Sequence, residues 1–128
     1  MHILLDTHTI LWTINDFEKL SPTAKLAIYD EGNTLYISIA SAWEVAIKNS
    51  LGKLEGFTGG VARFNQQINL MPIVILNIKP RYLQALEHLP FHHRDPFDRM
   101  LIATAQCEGL TLLTADSHIG KYDISTLW

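Results

Sequence analysis

Residues 95–116 read DPFDRMLIATAQCEGLTLLTAD, and this stretch decides the fold class. Pro96 suits the first position of a helix, where its missing N–H costs nothing, and Asp95 suits the cap before it. Gly109 supplies the turn that ends many helices, so a helix is predicted from Pro96 to Glu108. Leu110–Thr114 then reads as a short apolar strand, with Asp116 just after it. A helix that runs directly into an apolar strand belongs to a crossover connection.

The alternation continues outward from this unit. Ile3-Leu4-Leu5 is a short apolar run ending at Asp6, and it reads as a buried strand. Ile10, Leu11 and Ile14 fall at helical spacing within Thr7–Asn15. A second helix is predicted after Ser21, with Pro22 at its first position and Gly32 available to end it. Leu35–Ile39 is strand-like, and Ser41–Leu51 is helical with Gly52 beyond its end. Val61–Leu70 is a further helix closed by Pro72, and Ile73–Leu76 is the most β-rich run. Pro80–Leu89 is helical, and Ile124–Leu127 reads as a last edge strand. Gly56, Gly59 and Gly60 make the segment from Leu54 to Gly60 the most open loop. The prediction is one α/β domain over residues 1–128, with a mainly parallel central sheet flanked by helices on both faces.

Composition narrows the function classes. The 128 residues are 48% hydrophobic and 18% charged, which excludes a disordered chain. The net charge of −3 gives no global attraction for nucleic acid, so any such chemistry must come from a local site. One cysteine, Cys107, excludes an intrachain disulfide and a multi-cysteine zinc site. The longest apolar stretch, around Leu70–Ile78, is interrupted by Pro72 and Asn77 and is too short to span a bilayer. The expectation is a soluble, cytoplasmic protein without a membrane partner.

The informative feature is where four carboxylates fall. Asp6 ends the first strand, and Glu44 lies in the first turn of the predicted Ser41–Leu51 helix. Asp98 lies in the first turn of the Pro96–Glu108 helix, and Asp116 follows the strand Leu110–Thr114. In a parallel sheet these boundaries share the carboxyl edge, where α/β folds bind ligands. Carboxylates gathered there repel one another unless a cation lies among them, and hard oxygen ligands favour Mg²⁺ or Mn²⁺. Each acid also has a local explanation. Ser41 and Glu44 fit a capping box, Asp95 suits the cap of the long helix with Asp98 at its third position, Asp116 suits the cap of a turn before His118, and Asp6 that of the helix from Thr7. Asp6 favours function, because an acid ending a buried apolar strand is costly to desolvate.

These segments resemble a known family. Leu4-Leu5-Asp6-Thr7-His8, Ser41-Ala42-Trp43-Glu44, His93–Arg99 followed by Ile102-Ala103, and Gly109–Asp116 occur in the order and spacing of PIN-domain ribonucleases. The likeness is to the VapC-like toxins of bacterial toxin–antitoxin pairs and covers nearly the whole chain. It implies a metal-dependent endoribonuclease with its acids at Asp6, Glu44, Asp98 and Asp116. It also implies Mg²⁺ or Mn²⁺, an RNA substrate, a cognate antitoxin protein over the active site, and a homodimer. The chain departs from the family at His8, where a Ser or Asn is common. Between Asp95 and Asp98, the distance to Ile102-Ala103 and Gly109 favours Asp98 as the third acid.

Further polar residues carry paired readings. Thr7, Thr114 and Asp95 either support the metal ligands or act as local caps. Lys48, Arg94, Arg99 and Lys121 are candidate phosphate contacts, although Lys48 also forms an i,i+4 pair with Glu44. His8 and His118 fall near the proposed site in surface or supporting roles, and adjacent His92 and His93 do not suit one shared ion. Trp12, Trp43 and Trp128 read as core or interface residues. A haloacid-dehalogenase-like phosphatase would need an acid where His8 stands, and a receiver domain would need one after Ile73–Asn77. An RNase H-like nuclease would open on a β-meander, whereas Asp6 leads into a helix. The non-enzymatic alternative is a PIN-like interaction module whose acids only cap helices.

Overall fold

The computed structural model describes residues 1–128. In chain order the elements are β1 (His2–Leu5), α1 (Thr7–Asn15), α2 (Pro22–Tyr29), β2 (Thr34–Ser38), α3 (Ile39–Ser50), α4 (Gly60–Asn69), β3 (Ile73–Leu76), α5 (Pro80–Glu87), α6 (Pro96–Glu108), β4 (Thr111–Leu113) and β5 (Thr126–Leu127). The strands form one sheet in the order β3-β2-β1-β4-β5. Every pairing is parallel, with Ile3 opposite both Leu35 and Thr111, and Leu5 opposite Leu113.

Hydrophobic burial explains this arrangement. Ile3, Leu4 and Leu5 are all fully buried, so β1 is covered on both faces. Ile3 and Leu5 join Ile10, Ala24, Val45, Phe64 and Ile68, which brings α1–α4 to one face. Leu4 and Leu112 join Leu101, Ile102 and Leu89 on the other, where α6 is the main cover and α5 contributes Leu86. No helix is long and apolar enough to cross a membrane.

The strand order creates the crevice. From β1 the chain moves one way to β2 and β3, then α5 and α6 carry it back to β4 on the other side of β1. The order therefore reverses between β1 and β4, and ligands bind at such a switch point beyond the carboxyl strand ends.

Several boundaries differ from expectation. α3 starts at Ile39, not Ser41, because the Ser38 hydroxyl accepts a 3.0 Å hydrogen bond from the Ala40 N–H and caps the helix. Glu44 therefore lies in the second turn, and the Ser41–Glu44 capping box does not form. Ser41 is instead buried and accepts a 2.9 Å hydrogen bond from the Thr7 hydroxyl. α2 ends at Tyr29, because Asp30 turns the chain and accepts from the Gly32 N–H at 2.9 Å. Leu110 belongs to the end of α6: Gly109 takes φ of +65°, and the Leu110 N–H returns to the Ala105 carbonyl at 3.0 Å. Trp43 is 54% exposed and packs edge-on against Phe97 at 5.0 Å, so it is no core residue.

Candidate active site

The four acids reach the crevice from four elements. Asp6 follows β1 and is 5% exposed; its Oδ1 accepts the Thr9 N–H at 2.8 Å and caps α1. Glu44 projects from α3 and is 2% exposed. Its Oε2 lies 2.5 Å from Lys48 Nζ, and its Oε1 is buried without any partner. Asp98 lies in the first turn of α6, and Asp116 follows β4. Asp116 Oδ1 accepts the His118 N–H at 2.8 Å and faces the His118 ring at 3.1 Å. Asp95 Oδ1 caps α6, accepting the N–H groups of Phe97 at 2.9 Å and Asp98 at 3.0 Å.

The charges are unevenly compensated. Asp98 is pushed up to about 8, first by burial and then by the charges of Asp95, Asp6, Glu44 and Asp116. That last list brings all the expected acids into one electrostatic neighbourhood. Burial also acts to raise Asp116, but its two contacts from His118 hold it below the usual carboxylate range. Burial works against the Lys48 charge, and the hydrogen bond and charge of Glu44 outweigh it, so the ammonium is held above its usual range.

Ligand-type atoms of His93, Asp98 and Asp116 all lie within 4.8 Å of one another. Asp6 and Glu44 stand outside this trio, engaged with Thr9 and Lys48. The Asp98 and Asp116 carboxylates with the unpartnered buried His93 nitrogen form a donor set that fits a divalent cation, and Glu44 Oε1 is a further buried oxygen without a partner.

His92 and His93 do not share an ion, as their adjacency predicts, but His93 alone joins the acids. Its local signal is the position two residues before Asp95. Arg99 is not a phosphate contact. It is 4% exposed and donates to the carbonyls of Pro90 at 2.7 Å and Leu89 at 3.2 Å. Thr114 accepts the Asp116 N–H at 3.1 Å, and Thr7 donates to Ser41, so both hydroxyls are locally engaged. Lys48 is paired with Glu44, while Arg94 and Lys121 are exposed. A cavity of about 250 Å³ opens beside Thr7 and Glu44. It is lined in part by His8, Trp12, Lys19 and Lys53.

A family model described as the PIN domain matches residues 3–125, and the chain belongs to that family. Among solved structures, the fold is similar to VapBC2 from Rickettsia felis bound to a DNA fragment from its promoter. That likeness has a TM-score of 0.72 at 16% identity, over 99% of this chain and 98% of that one. A toxin–antitoxin complex from Klebsiella pneumoniae has a TM-score of 0.65 at 19% identity, over 98% and 96% of the two chains. VapC20 from Mycobacterium tuberculosis, described as a Sarcin-Ricin loop cleaving toxin, has a TM-score of 0.65 at 18% identity over 93% of each chain. At these identities the likeness is one of fold. No curated protein matches the chain in sequence.

Proposed function

We propose that this PIN-domain chain is a metal-dependent endoribonuclease and the toxin of a toxin–antitoxin pair. The observation that supports this most is that Asp98 and Glu44 are largely buried acids that cap nothing. Asp6, Asp95 and Asp116 do cap local N–H groups, so a purely structural reading accounts for them. It leaves Glu44 Oε1 unsatisfied and Asp98 among like charges, an arrangement that costs stability unless a cation is bound.

In this reading Asp6, Glu44, Asp98 and Asp116 hold Mg²⁺ or Mn²⁺, and Asp95, Thr7 and Thr114 support them from the surrounding hydrogen bonds. A divalent ion held there would lower the pKa of water and offset the charge that builds on a scissile phosphate. Lys48 balances one charge on Glu44, and His118 orients Asp116. The neighbouring cavity offers the Trp12 and His8 rings to a base, and Lys19 and Lys53 to phosphates. The structures of toxin–antitoxin complexes with this fold support a cognate antitoxin as partner. A homodimer completes the assembly, and the cytoplasm is its place of action.

The test is cleavage of total bacterial RNA by antitoxin-free protein in Mn²⁺ or Mg²⁺. Discrete metal-dependent fragments are expected, and they disappear with folded Asp98→Asn protein. Cleavage retained by that variant, or undiminished in a chelator, would overturn the assignment.

A further inference from the structure

We infer that His93 supplies a nitrogen ligand to the ion beside Asp98 and Asp116, and that this nitrogen makes the site prefer Mn²⁺ to Mg²⁺. The inference rests on the metal-dependent reading above and extends it to a residue outside the acid set.

The ring is presented to the acids and satisfied on its far side. Nε2 is buried without a hydrogen-bond partner and lies 3.5 Å from Asp98 Oδ2. That is longer than a good N–H···O hydrogen bond, about 2.7–3.2 Å. It is a natural spacing for two ligands of one ion, because atoms ~2.1 Å from a centre stand ~3–4 Å apart in an octahedron. On the other side, Nδ1 lies 2.8 Å from the Tyr122 hydroxyl oxygen. That buried oxygen also faces Arg99 Nη1 at 3.2 Å and the His93 N–H at 3.3 Å. Its own hydrogen has the His93 carbonyl as an acceptor at 3.5 Å. An oxygen ringed by donors acts as an acceptor, which assigns the imidazole proton to Nδ1 and leaves the Nε2 lone pair facing the acids.

The support is rigid. Arg99 is tied to the Leu89 and Pro90 carbonyls and lies 4.1 Å from the Phe91 ring centre. The His118 ring stacks beside His93, with centroids 6.5 Å apart and planes 12° from parallel. A metal-bound histidine typically has its other ring nitrogen held in this way. Imidazole suits transition ions, whereas Mg²⁺ keeps to oxygen, so one nitrogen among carboxylates biases the site toward Mn²⁺.

The experiment titrates metal-free protein with Mn²⁺ and with Mg²⁺ by calorimetry, for wild type, His93→Ala and Tyr122→Phe. His93→Ala is expected to weaken Mn²⁺ binding ~100-fold and Tyr122→Phe ~10-fold, the range seen when metal-site support is removed. Mg²⁺ affinity stays nearly constant in both. Pulsed electron spin resonance of Mn²⁺-loaded wild type, with ¹⁵N-labelled histidine, should show a directly coupled imidazole nitrogen, a readout that needs no variant to fold. Equal losses for both ions, or Mn²⁺ bound without nitrogen coupling, would overturn the role of His93 alone. Wild type that binds neither ion would overturn the metal-dependent reading together with it.

Discussion

Asp98 and Glu108 stand at opposite ends of α6, in its first turn and at its last residue. The helix dipole favours a carboxylate at the first position and opposes one at the second, by ~0.3–1 kcal/mol. The ionisation runs the other way. The Tyr82 hydroxyl and then Arg81 hold Glu108 below the usual carboxylate range, with Lys79 3.6 Å away. Burial and four neighbouring acids push Asp98 up to about 8. Local surroundings therefore outweigh the dipole at both ends, burial first at Asp98 and specific partners at Glu108. The contrast separates two settings of charge: Glu108 is satisfied by partners within the chain, and Asp98 lies buried among like charges.

The sharpest way to break this contrast is Asp98→Asn. Loss of a metal ligand worth several kcal/mol predicts a fall in RNA cleavage of ~100-fold or more, measured on a folded variant. Next comes pH. Asp98 binds its proton more tightly folded than unfolded, so its contribution to metal-free stability is complete below about pH 4. It is lost as pH rises toward about 8. Thermal or urea unfolding of metal-free protein should show this loss, at most ~6 kcal/mol, with a shallower fall in Asp98→Asn and recovery on adding Mn²⁺. Arg99, one residue on but turned inward, should behave as structure: Arg99→Ala leaves buried carbonyls unpaired and costs ~3 kcal/mol in urea unfolding. The smallest effect is at Glu108. Glu108→Gln should cost no more than ~1 kcal/mol and leave cleavage unchanged, because its cationic partners Lys79 and Arg81 are half exposed and the amide still accepts from the Tyr82 hydroxyl. Its pH sign is opposite to that of Asp98. A lowered carboxyl contributes stability above its unfolded value and loses it as pH falls through the folded one.

Legibility followed the range of the interactions. α6 was readable to both ends, because Asp95, Pro96 and Gly109 set its limits by local chemistry. β1 was readable because three buried apolar residues run into a single acid. The start of α3 was not, because Ser38 and Ser41 are both plausible caps in one dimension. What distinguishes them is the Thr7 hydroxyl, which reaches Ser41 from beside β1. Arg99 read as a surface cation, since the carbonyls that bury it come from the turn after α5. Which of His92 and His93 faces the acids has the same long-range origin: the His93 orientation depends on Tyr122, beyond β4. The places of Asp6, Asp98 and Asp116 at strand ends and a helix start were legible, as was the Lys48 partner of Glu44, whereas the second-turn place of Glu44 and the hold of Tyr122 on His93 were not.

The central position of β1 also sets when a site can exist during synthesis. β1 emerges first but acquires its second neighbour only when Thr111–Leu113 pair with it, the Asp6 N–H then reaching the Leu113 carbonyl at 3.2 Å. Asp116 follows that strand directly, so the crevice stays unfinished while the ribosome is still making α6. Pairings this distant in sequence close late and slowly. A nascent chain therefore has no complete crevice until Asp116 has left the ribosome, so whatever chemistry the four acids perform is a property of the assembled sheet and not of the growing chain.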